Sequence, residues 1–151
     1  MKIVSIKESL LEKYKQADPE MLDKRGRPCL LVMRLRYKGK KRMFAVPFRS
    51  NIAGSVPKSQ YFSLPPRPTT RSGNRHGLHY IKMFPIEKCF LERYRIDEPH
   101  SLLCMKKISD NEKRIVDDCQ SYLEKYEKGE RPPFSTAIDD LIATLEHMRE
   151  V

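Results

Sequence analysis

Short segments in the first half of the chain alternate between apolar and polar residues, as β-strands with one buried face do. Residues 2–6 form the first such segment, and the run from Cys29 to Tyr37 ends in apolar residues that alternate with two arginines. Lys38-Gly39-Lys40 predicts a hairpin turn, after which residues 43–48 return as the partner strand. Pro47 lacks an amide hydrogen, so it predicts that this partner strand ends or lies at a sheet edge.

The pattern becomes irregular after this hairpin. Residues 51–77 are rich in proline, serine, glycine, threonine and arginine, and a loop of this length is usually either functional or disordered. A strand is predicted to resume over 78–84, and residues 86–94 are predicted to form another strand or a short helix. We therefore expect one small, strongly curved antiparallel sheet or partly open barrel.

Helical spacing of apolar residues occurs near the N-terminus, over residues 9–15, and again in the C-terminal third. Residues 109–112, Ser-Asp-Asn-Glu, form a capping box and predict a helix that Gly129 closes. Ser135 or Thr136 is predicted to open the last helix. The apolar stripes of these two helices are predicted to face the core rather than a partner.

The 151 residues, of which 39% are hydrophobic, are sufficient for one domain with its own core. We predict a single α+β domain over 1–151, with a basic sheet portion over 1–95 and a helical portion over 96–151, in which two helices are C-terminal. The apolar runs are too short to span a membrane, and the first residues lack the apolar core of a signal peptide. The four cysteines form no CxxC pair, which favours a reducing compartment over a disulfide scaffold or a zinc motif. We expect a soluble cytoplasmic protein without metal or cofactor.

Charge is divided unevenly along the sequence, in which 30 Lys and Arg outnumber 20 Asp and Glu. Residues 1–95 contain 22 basic and 7 acidic residues, whereas residues 96–151 contain 8 and 13. No acidic residue lies between Asp23 and Glu87. A segment of one sign repels itself unless a polyanion binds it, so this stretch indicates a nucleic-acid partner. A basic surface that serves only solubility is the alternative.

The predicted RNA-contacting residues belong to this acid-free stretch and are basic, aromatic or imidazole side chains: Arg25, Arg27, Arg34, Arg36, Lys38, Lys40, Lys41, Lys58, Tyr61, Arg71, Arg75, His76 and His79. Tyr61 is a candidate for stacking on a base, although aromatic residues near a sheet commonly belong to the core. His76 and His79 titrate near neutrality and are candidates for proton transfer, with ordinary polar roles as the alternative.

The residue types of the basic portion favour cleavage chemistry that needs no metal. Metal-dependent nucleases hold magnesium with carboxylates, which the stretch between Asp23 and Glu87 lacks. The chain has no P-loop, GxSxG or Rossmann glycine pattern. RNA can be cleaved by its own 2′-hydroxyl if a protein orients the strand, moves a proton and neutralises the developing charge. DNA lacks this hydroxyl, so such a site acts on RNA alone.

Arg49, Ser50 and Asn51 are the best local candidates for this chemistry, because they follow a strand and lead into the long loop. The Arg49 guanidinium suits a phosphate, and the Ser50 hydroxyl and Asn51 amide supply further hydrogen bonds. Lys82 is the fourth candidate catalytic residue. The alternative is an ordinary turn in which Ser50 and Asn51 bond only to the local backbone.

The order of these features resembles the endoribonuclease toxins of type III toxin–antitoxin systems, the ToxN, AbiQ, CptN and TenpN group. The resemblance is carried by short motifs at matching spacing, followed by two C-terminal helices: Met1-Lys2-Ile3 before a helix, the hairpin from Leu30 to Phe48, Val46-Pro47-Phe48-Arg49-Ser50-Asn51-Ile52, Gly77-Leu78-His79-Tyr80-Ile81-Lys82 and Met83-Phe84-Pro85-Ile86.

The resemblance implies a curved antiparallel sheet related to the small barrels of other ribonuclease toxins. It also implies metal-independent cleavage of cellular or phage RNA that leaves a 2′,3′-cyclic phosphate. The implied inhibitor is a folded repeat antitoxin RNA, a pseudoknot, that the toxin cuts and with which it forms a closed assembly, with neither DNA nor membrane as partner. Ser50 occupies the position of the family's central serine. Arg49 stands where relatives often have threonine, and the lysine that follows the serine in some relatives is absent, which leaves Lys58 or Lys82 to supply its charge.

Two other functions remain compatible with the charge pattern. One is a basic RNA-binding protein that does not cleave, such as a ribosome-associated protein. The other is a structural or adaptor protein.

Overall fold

The chain was analysed as a computed structural model, which describes residues 1–22, 28–95 and 99–150. Its strands are β1 Lys2–Ile6, β2 Leu30–Tyr37, β3 Lys40–Ile52, β4 Tyr61–Leu64, β5 Arg75–His79, β6 Phe84–Pro85 and β7 Leu91–Arg93. Its helices are α1 Glu8–Ala17, α2 Pro99–Asp110, α3 Glu112–Glu127 and α4 Ile138–Glu150.

The seven strands form one antiparallel sheet in the order β4-β5-β3-β2-β1-β7, with β6 paired to β3. Within the described residues β4 and β7 lie at opposite edges, so the sheet is open. This confirms the predicted α+β class and the antiparallel sheet with packed helices, of which α3 and α4 are the two predicted at the C-terminus.

The β2–β3 hairpin forms as the sequence predicts. Lys38 and Gly39 have φ angles of 50° and 77°, and two successive positive values are those of the two-residue turn that matches strand twist. However, β3 does not end near Pro47 but continues to Ile52. The Phe48 amide donates to the Cys29 carbonyl at 3.0 Å, on the β2 side, so the Pro47 nitrogen faces the opposite side. Pro47 therefore lies at a local edge, because the pairing of β3 with β6 ends at Ala45 and the pairing with β5 begins at Phe48.

Two local predictions differ from the structure. The predicted loop over 51–77 contains β4, and the predicted strand over 78–84 is interrupted by a 3₁₀ turn at Tyr80–Lys82. The segment over 86–94 contains both predicted alternatives, a 3₁₀ turn at Lys88–Phe90 and then β7.

The capping box over 109–112 is also wrong, because Ser109 lies inside α2. The Asn111 side chain donates to the Lys107 carbonyl at 2.7 Å and so closes α2, and α3 begins at the next residue. Gly129 closes α3 as predicted, with a φ of 89° and its amide donating to the Tyr126 carbonyl.

Apolar side chains form a core on each face of the sheet. On one face β2 residues such as Leu31 and Met33 pack against α2 and α3. On the other face Leu30 and Val32 pack against α1 and α4. The first half of β2 is therefore buried on both faces, which explains its continuous apolar run, and Arg34 begins the alternating half.

The helices bring acidic groups to part of the basic sheet. Lys38 pairs with Asp139 at 3.0 Å, and Arg42 pairs with Glu146 at 3.1 Å. The segment between Asp23 and Glu87 contains no acidic residue, but in the folded protein part of it lies next to acidic side chains of the helices. Among the described residues, no helix has both the length and the apolar character needed to cross a bilayer.

Candidate active site

An open pocket of about 390 Å³ lies where the end of β3 meets the segment that follows α1. Arg49, Ser50 and Asn51 line it from β3, and Lys82 lines it from the 3₁₀ turn after β5. Residues 19–22 form the facing wall. The fold thus brings together the four side chains that the sequence nominates for catalysis.

A β-bulge positions Ser50. Arg49 pairs with Gly77 and Ile52 pairs with Arg75, so three steps along β3 match two along β5. A bulge leaves the extra residue unpaired and re-aims its side chain, which is why bulges are common beside active sites. Ser50 is half-buried at the pocket surface, and no group in the described ranges hydrogen-bonds to its hydroxyl.

Among the described residues, Arg49 is one of two basic residues that line the pocket, the other being Lys82. Its side chain is half-buried, and burial lowers the pKa of the guanidinium. Arginine nevertheless stays charged near neutral pH, so a partly desolvated guanidinium favours an anion with two acceptor oxygens. The strand behind it needs glycine: a Cβ at Gly77 would lie 2.3 Å from the carbonyl oxygen of Phe62. β4 therefore packs closely on β5 at the residue that pairs with Arg49.

His79 lies behind the pocket and is only 7% exposed. Burial, and then the charges of Arg49 and Lys82, lower the pKa of His79 from 6.5 to about 4. The imidazole is therefore neutral at physiological pH, and neither ring nitrogen has a hydrogen-bond partner among the described residues. His76 and Tyr61 are buried as well. These three predicted RNA-contacting side chains belong to the packing behind the pocket, because a buried side chain cannot meet RNA without a rearrangement.

Lys82 is held by three acceptors. Its ammonium group donates to the Glu20 carboxylate at 2.9 Å, to the Glu20 carbonyl at 3.2 Å and to the Phe134 carbonyl at 2.6 Å. Of the two candidates for the missing lysine charge, Lys82 lies in the pocket with Ser50, and Lys58 lines a different pocket.

Asn51 organises the loop before β5. Its side-chain amide donates to the Thr69 carbonyl at 3.0 Å, and its carbonyl oxygen accepts from the Arg71 amide at 2.8 Å and from Asn74 at 3.2 Å. The alternative to a catalytic role is that Asn51 bonds to the local backbone. Asn51 does bond to backbone groups, but these belong to residues 69 and 71 rather than to its own turn. These bonds hold the loop that carries the exposed Arg71 beside the pocket, and this loop leads to the exposed Arg75 at the start of β5.

The other predicted RNA-contacting residues are dispersed. Arg25 and Arg27 lie outside the described residues. Arg34, Lys40 and Lys41 line a separate surface pocket at the far end of the β2–β3 hairpin. Arg36 is exposed, with its backbone bonded to the Gln120 side chain, and Lys38 forms the ion pair with Asp139.

Sequence reasoning missed two acidic residues: Glu20 in the facing wall and Asp18 directly before it. Glu20 binds Lys82 although 62 positions separate them. Asp18 is buried and accepts from the Glu20 amide at 2.9 Å and from the Ala137 amide at 2.7 Å, so it joins the wall to the start of α4. Asp18 follows a helical pattern directly before Pro19, which marks a helix end but gives no sign of these distant partners.

No protein-family model matches the sequence, and no curated protein is significantly similar to it. Three solved structures have nearly the same fold. AbiQ, a lactococcal anti-phage endoribonuclease of the type III toxin–antitoxin system, aligns with a TM-score of 0.77 at 10% identity, over 99% of this chain and 98% of AbiQ. A protein of a bacterial antiviral system that a processed non-coding RNA regulates aligns with a TM-score of 0.73 at 14% identity, over 97% and 98% of the two chains.

The third structure comes from a bacterial type III system in which a non-coding RNA pseudoknot selectively inhibits the toxin. It aligns with a TM-score of 0.73 at 13% identity, over 99% of this chain and 98% of that chain. At such identities a structural match establishes the fold, and function has to be argued from the site. Over almost its full length the chain therefore has the fold of AbiQ and of the other two proteins, as the resemblance in its motifs implied.

Proposed function

We propose that this protein is the toxin of a type III toxin–antitoxin system, an endoribonuclease that cleaves RNA without a metal ion. The single observation that carries the proposal is the pocket in which Arg49, Ser50 and Lys82 meet at a β-bulge, on the fold of AbiQ. The pocket offers a fork of N–H donors, an accessible hydroxyl and a second cation within one small volume. These groups suit the binding of a phosphodiester and the stabilisation of the negative charge that develops on it during cleavage.

In the proposed reaction the 2′-oxygen attacks the adjacent phosphorus and the bond from phosphorus to the 5′-oxygen breaks. The 2′-hydroxyl loses its proton, the departing 5′-oxygen gains one, and a 2′,3′-cyclic phosphate remains. Arg49 binds the non-bridging oxygens, on which negative charge grows in the transition state. Ser50 donates to the same phosphate or relays a proton, and its position on a strand rather than a free loop limits its movement.

Lys82 changes partners in this scheme. Its present acceptors are a carboxylate and two carbonyls, and a phosphate in the pocket offers the same kind of charge as the Glu20 carboxylate. Side chains of the Lys82–Glu20 pair are 11% and 35% exposed, so exchange requires no opening of the core. Lys82 then adds its charge to that of Arg49 when RNA arrives.

The proposed partners follow from the structural neighbours. A processed non-coding RNA regulates one of them, and a pseudoknot inhibits the toxin of another. We extend this to a folded repeat antitoxin RNA that this chain cuts and with which it forms a closed assembly in the cytoplasm. Phage or cellular RNA is the proposed target, in line with the anti-phage activity of AbiQ.

Expression of the wild type beside Ser50→Ala and Ser55→Ala tests the proposal. Ser55 is an exposed serine in a turn outside the pocket and serves as the matched control. We expect the wild type and Ser55→Ala to cut RNA in EDTA, with cyclic phosphate at the new 3′-ends and no cut at a 2′-deoxy position. Removal of one transition-state donor should lower the cleavage rate of Ser50→Ala by about 100-fold or more.

Three results would contradict the proposal in different ways. Cleavage by Ser50→Ala at the wild-type rate refutes the role of that hydroxyl. Salt-sensitive RNA binding by the wild type without cleavage supports the non-catalytic RNA-binding protein. Absence of both binding and cleavage supports the structural or adaptor protein.

A further inference from the structure

We propose that His76, His100 and Cys104 form a binding site for one transition-metal ion, such as zinc. The bound ion would link helix α2 to strand β5. Each residue offers one ligand atom, and the three atoms lie within 4.8 Å of one another. This cluster is separate from the pocket that contains Ser50, and the proposal does not depend on the cleavage reaction.

The two elements place these residues opposite each other. His100 and Cys104 are four positions apart on α2 and therefore share one face of the helix. His76 projects from β5, where its ring centroid lies 5.5 Å from that of His100. His76 is 2% exposed and Cys104 is 3% exposed, whereas His100 is half-buried. Two of the three ligands are thus buried. The third, His100, is half-buried, so an ion can reach the cluster from solvent on its side.

Backbone carbonyls determine which imidazole nitrogens carry hydrogen. His76 Nδ1 lies 2.8 Å from the Pro65 carbonyl oxygen, and His100 Nε2 lies 3.0 Å from the carbonyl oxygens of Pro65 and Pro66. A carbonyl only accepts, so these nitrogens donate, and in the neutral form of each ring, which is the form that binds a metal, the other nitrogen carries a lone pair. Histidines that bind metals are commonly oriented in this way, by donation of their second N–H to a backbone carbonyl.

The second ring nitrogen of His100, Nδ1, already lies beside the thiol. His100 Nδ1 is 3.6 Å from Cys104 Sγ, which is near the separation of about 3.5 Å expected for two ligands of one tetrahedral zinc ion. Since all three ligand atoms lie within 4.8 Å of one another, metal binding requires them to approach by at most about 1 Å. Burial raises the pKa of the Cys104 thiol, with Arg67 and Lys107 acting in the opposite direction, so binding has to displace a proton.

Ligand chemistry selects the ion. A thiolate with two imidazoles suits zinc, cobalt or copper and disfavours magnesium and calcium, which bind oxygen ligands. The bound ion would tie α2 to the strand in which Gly77, the residue after His76, pairs with Arg49. It would therefore stabilise the sheet behind the pocket without supplying a group to the pocket itself.

Metal-free, reduced protein titrated with Co²⁺ and then Zn²⁺ tests the site. We expect one equivalent of Co²⁺ to give the visible bands of a tetrahedral ion and a thiolate charge-transfer band, and Zn²⁺ to remove both and raise the Tm. Cys104→Ser and His100→Asn should lose the charge-transfer band and the Zn²⁺-dependent rise in Tm. Cys89→Ser and His147→Asn, which change an exposed cysteine and an exposed histidine outside the cluster, should retain both.

The proposal fails if the wild type gives no charge-transfer band, or if Cys104→Ser keeps the band while Cys89→Ser loses it. The Tm of each variant in EDTA shows whether it is folded. Should Cys104→Ser be unfolded, the half-buried His100→Asn decides the matter: a retained band and Tm rise in that variant overturn the site.

Discussion

His79 should make the stability of the folded protein depend on pH. In the native state burial and the charges of Arg49 and Lys82 lower the pKa of His79 from 6.5 to about 4. Between these values the unfolded chain binds a proton that the folded protein excludes. The free energy of unfolding should therefore be at its full value above pH 6.5 and should fall as the pH decreases from 6.5 towards 4.

The size of the effect follows from the two pKa values. At pH 5 the unfolded imidazole is mostly protonated, whereas the folded imidazole is mostly neutral. The linkage relation then gives a loss of about 2 kcal/mol for this one group between pH 7 and pH 5. Since domains are stable by about 5–15 kcal/mol, such a loss is readily measured.

Urea unfolding followed by circular dichroism at pH 7, 6 and 5 measures this loss. His79→Leu fills a similar volume with a group that does not titrate, so the variant should lose about 2 kcal/mol less than the wild type over this range. His147→Gln is the control, because His147 is exposed on α4, and it should follow the wild type. Equal losses in the wild type and His79→Leu would refute the burial argument.

Three further changes test the packing and charge around the pocket. Gly77→Ala places a methyl group against the Phe62 backbone and should cost about 1–3 kcal/mol, a decrease in Tm of about 3–9 °C by calorimetry; an unchanged Tm would show that β4 can move aside. Asp18→Ala leaves the Glu20 and Ala137 amides without their acceptor and should cost about 3 kcal/mol in urea unfolding, whereas the exposed Asp117→Ala should cost under about 0.5 kcal/mol. Glu20→Gln removes the anion that competes for Lys82 and should tighten RNA binding by about twofold to fivefold in a Ser50→Ala background, measured by fluorescence anisotropy; weaker binding would mean that Glu20 holds Lys82 in place for RNA.

The sequence determined those elements whose signal is local. The period-two pattern in the second half of β2 reflects one solvent-exposed and one buried face, and the Lys38-Gly39 pair suits a turn that needs two positive φ angles. The same is true of Gly129, which closes α3 because glycine adopts a positive φ without strain. Arg49 and Ser50 could be nominated from the sequence because a guanidinium and a hydroxyl near a strand end suit hydrogen bonding to a phosphate.

Tertiary structure decided everything that depends on distant partners. Short β4 has too few residues to show a period, and α2 has a weak apolar stripe, so both form because neighbouring elements pack on them. Lys38 and Arg42 form ion pairs with acidic residues of one helix, α4, which are about a hundred residues away in the chain. His79 shows the same principle, since an imidazole in a basic segment looks like an RNA contact until burial makes it a neutral part of the core. Side-chain identity fixes what a group can do, but its solvent exposure and its neighbours, which set its charge and reach, exist only after the chain has folded.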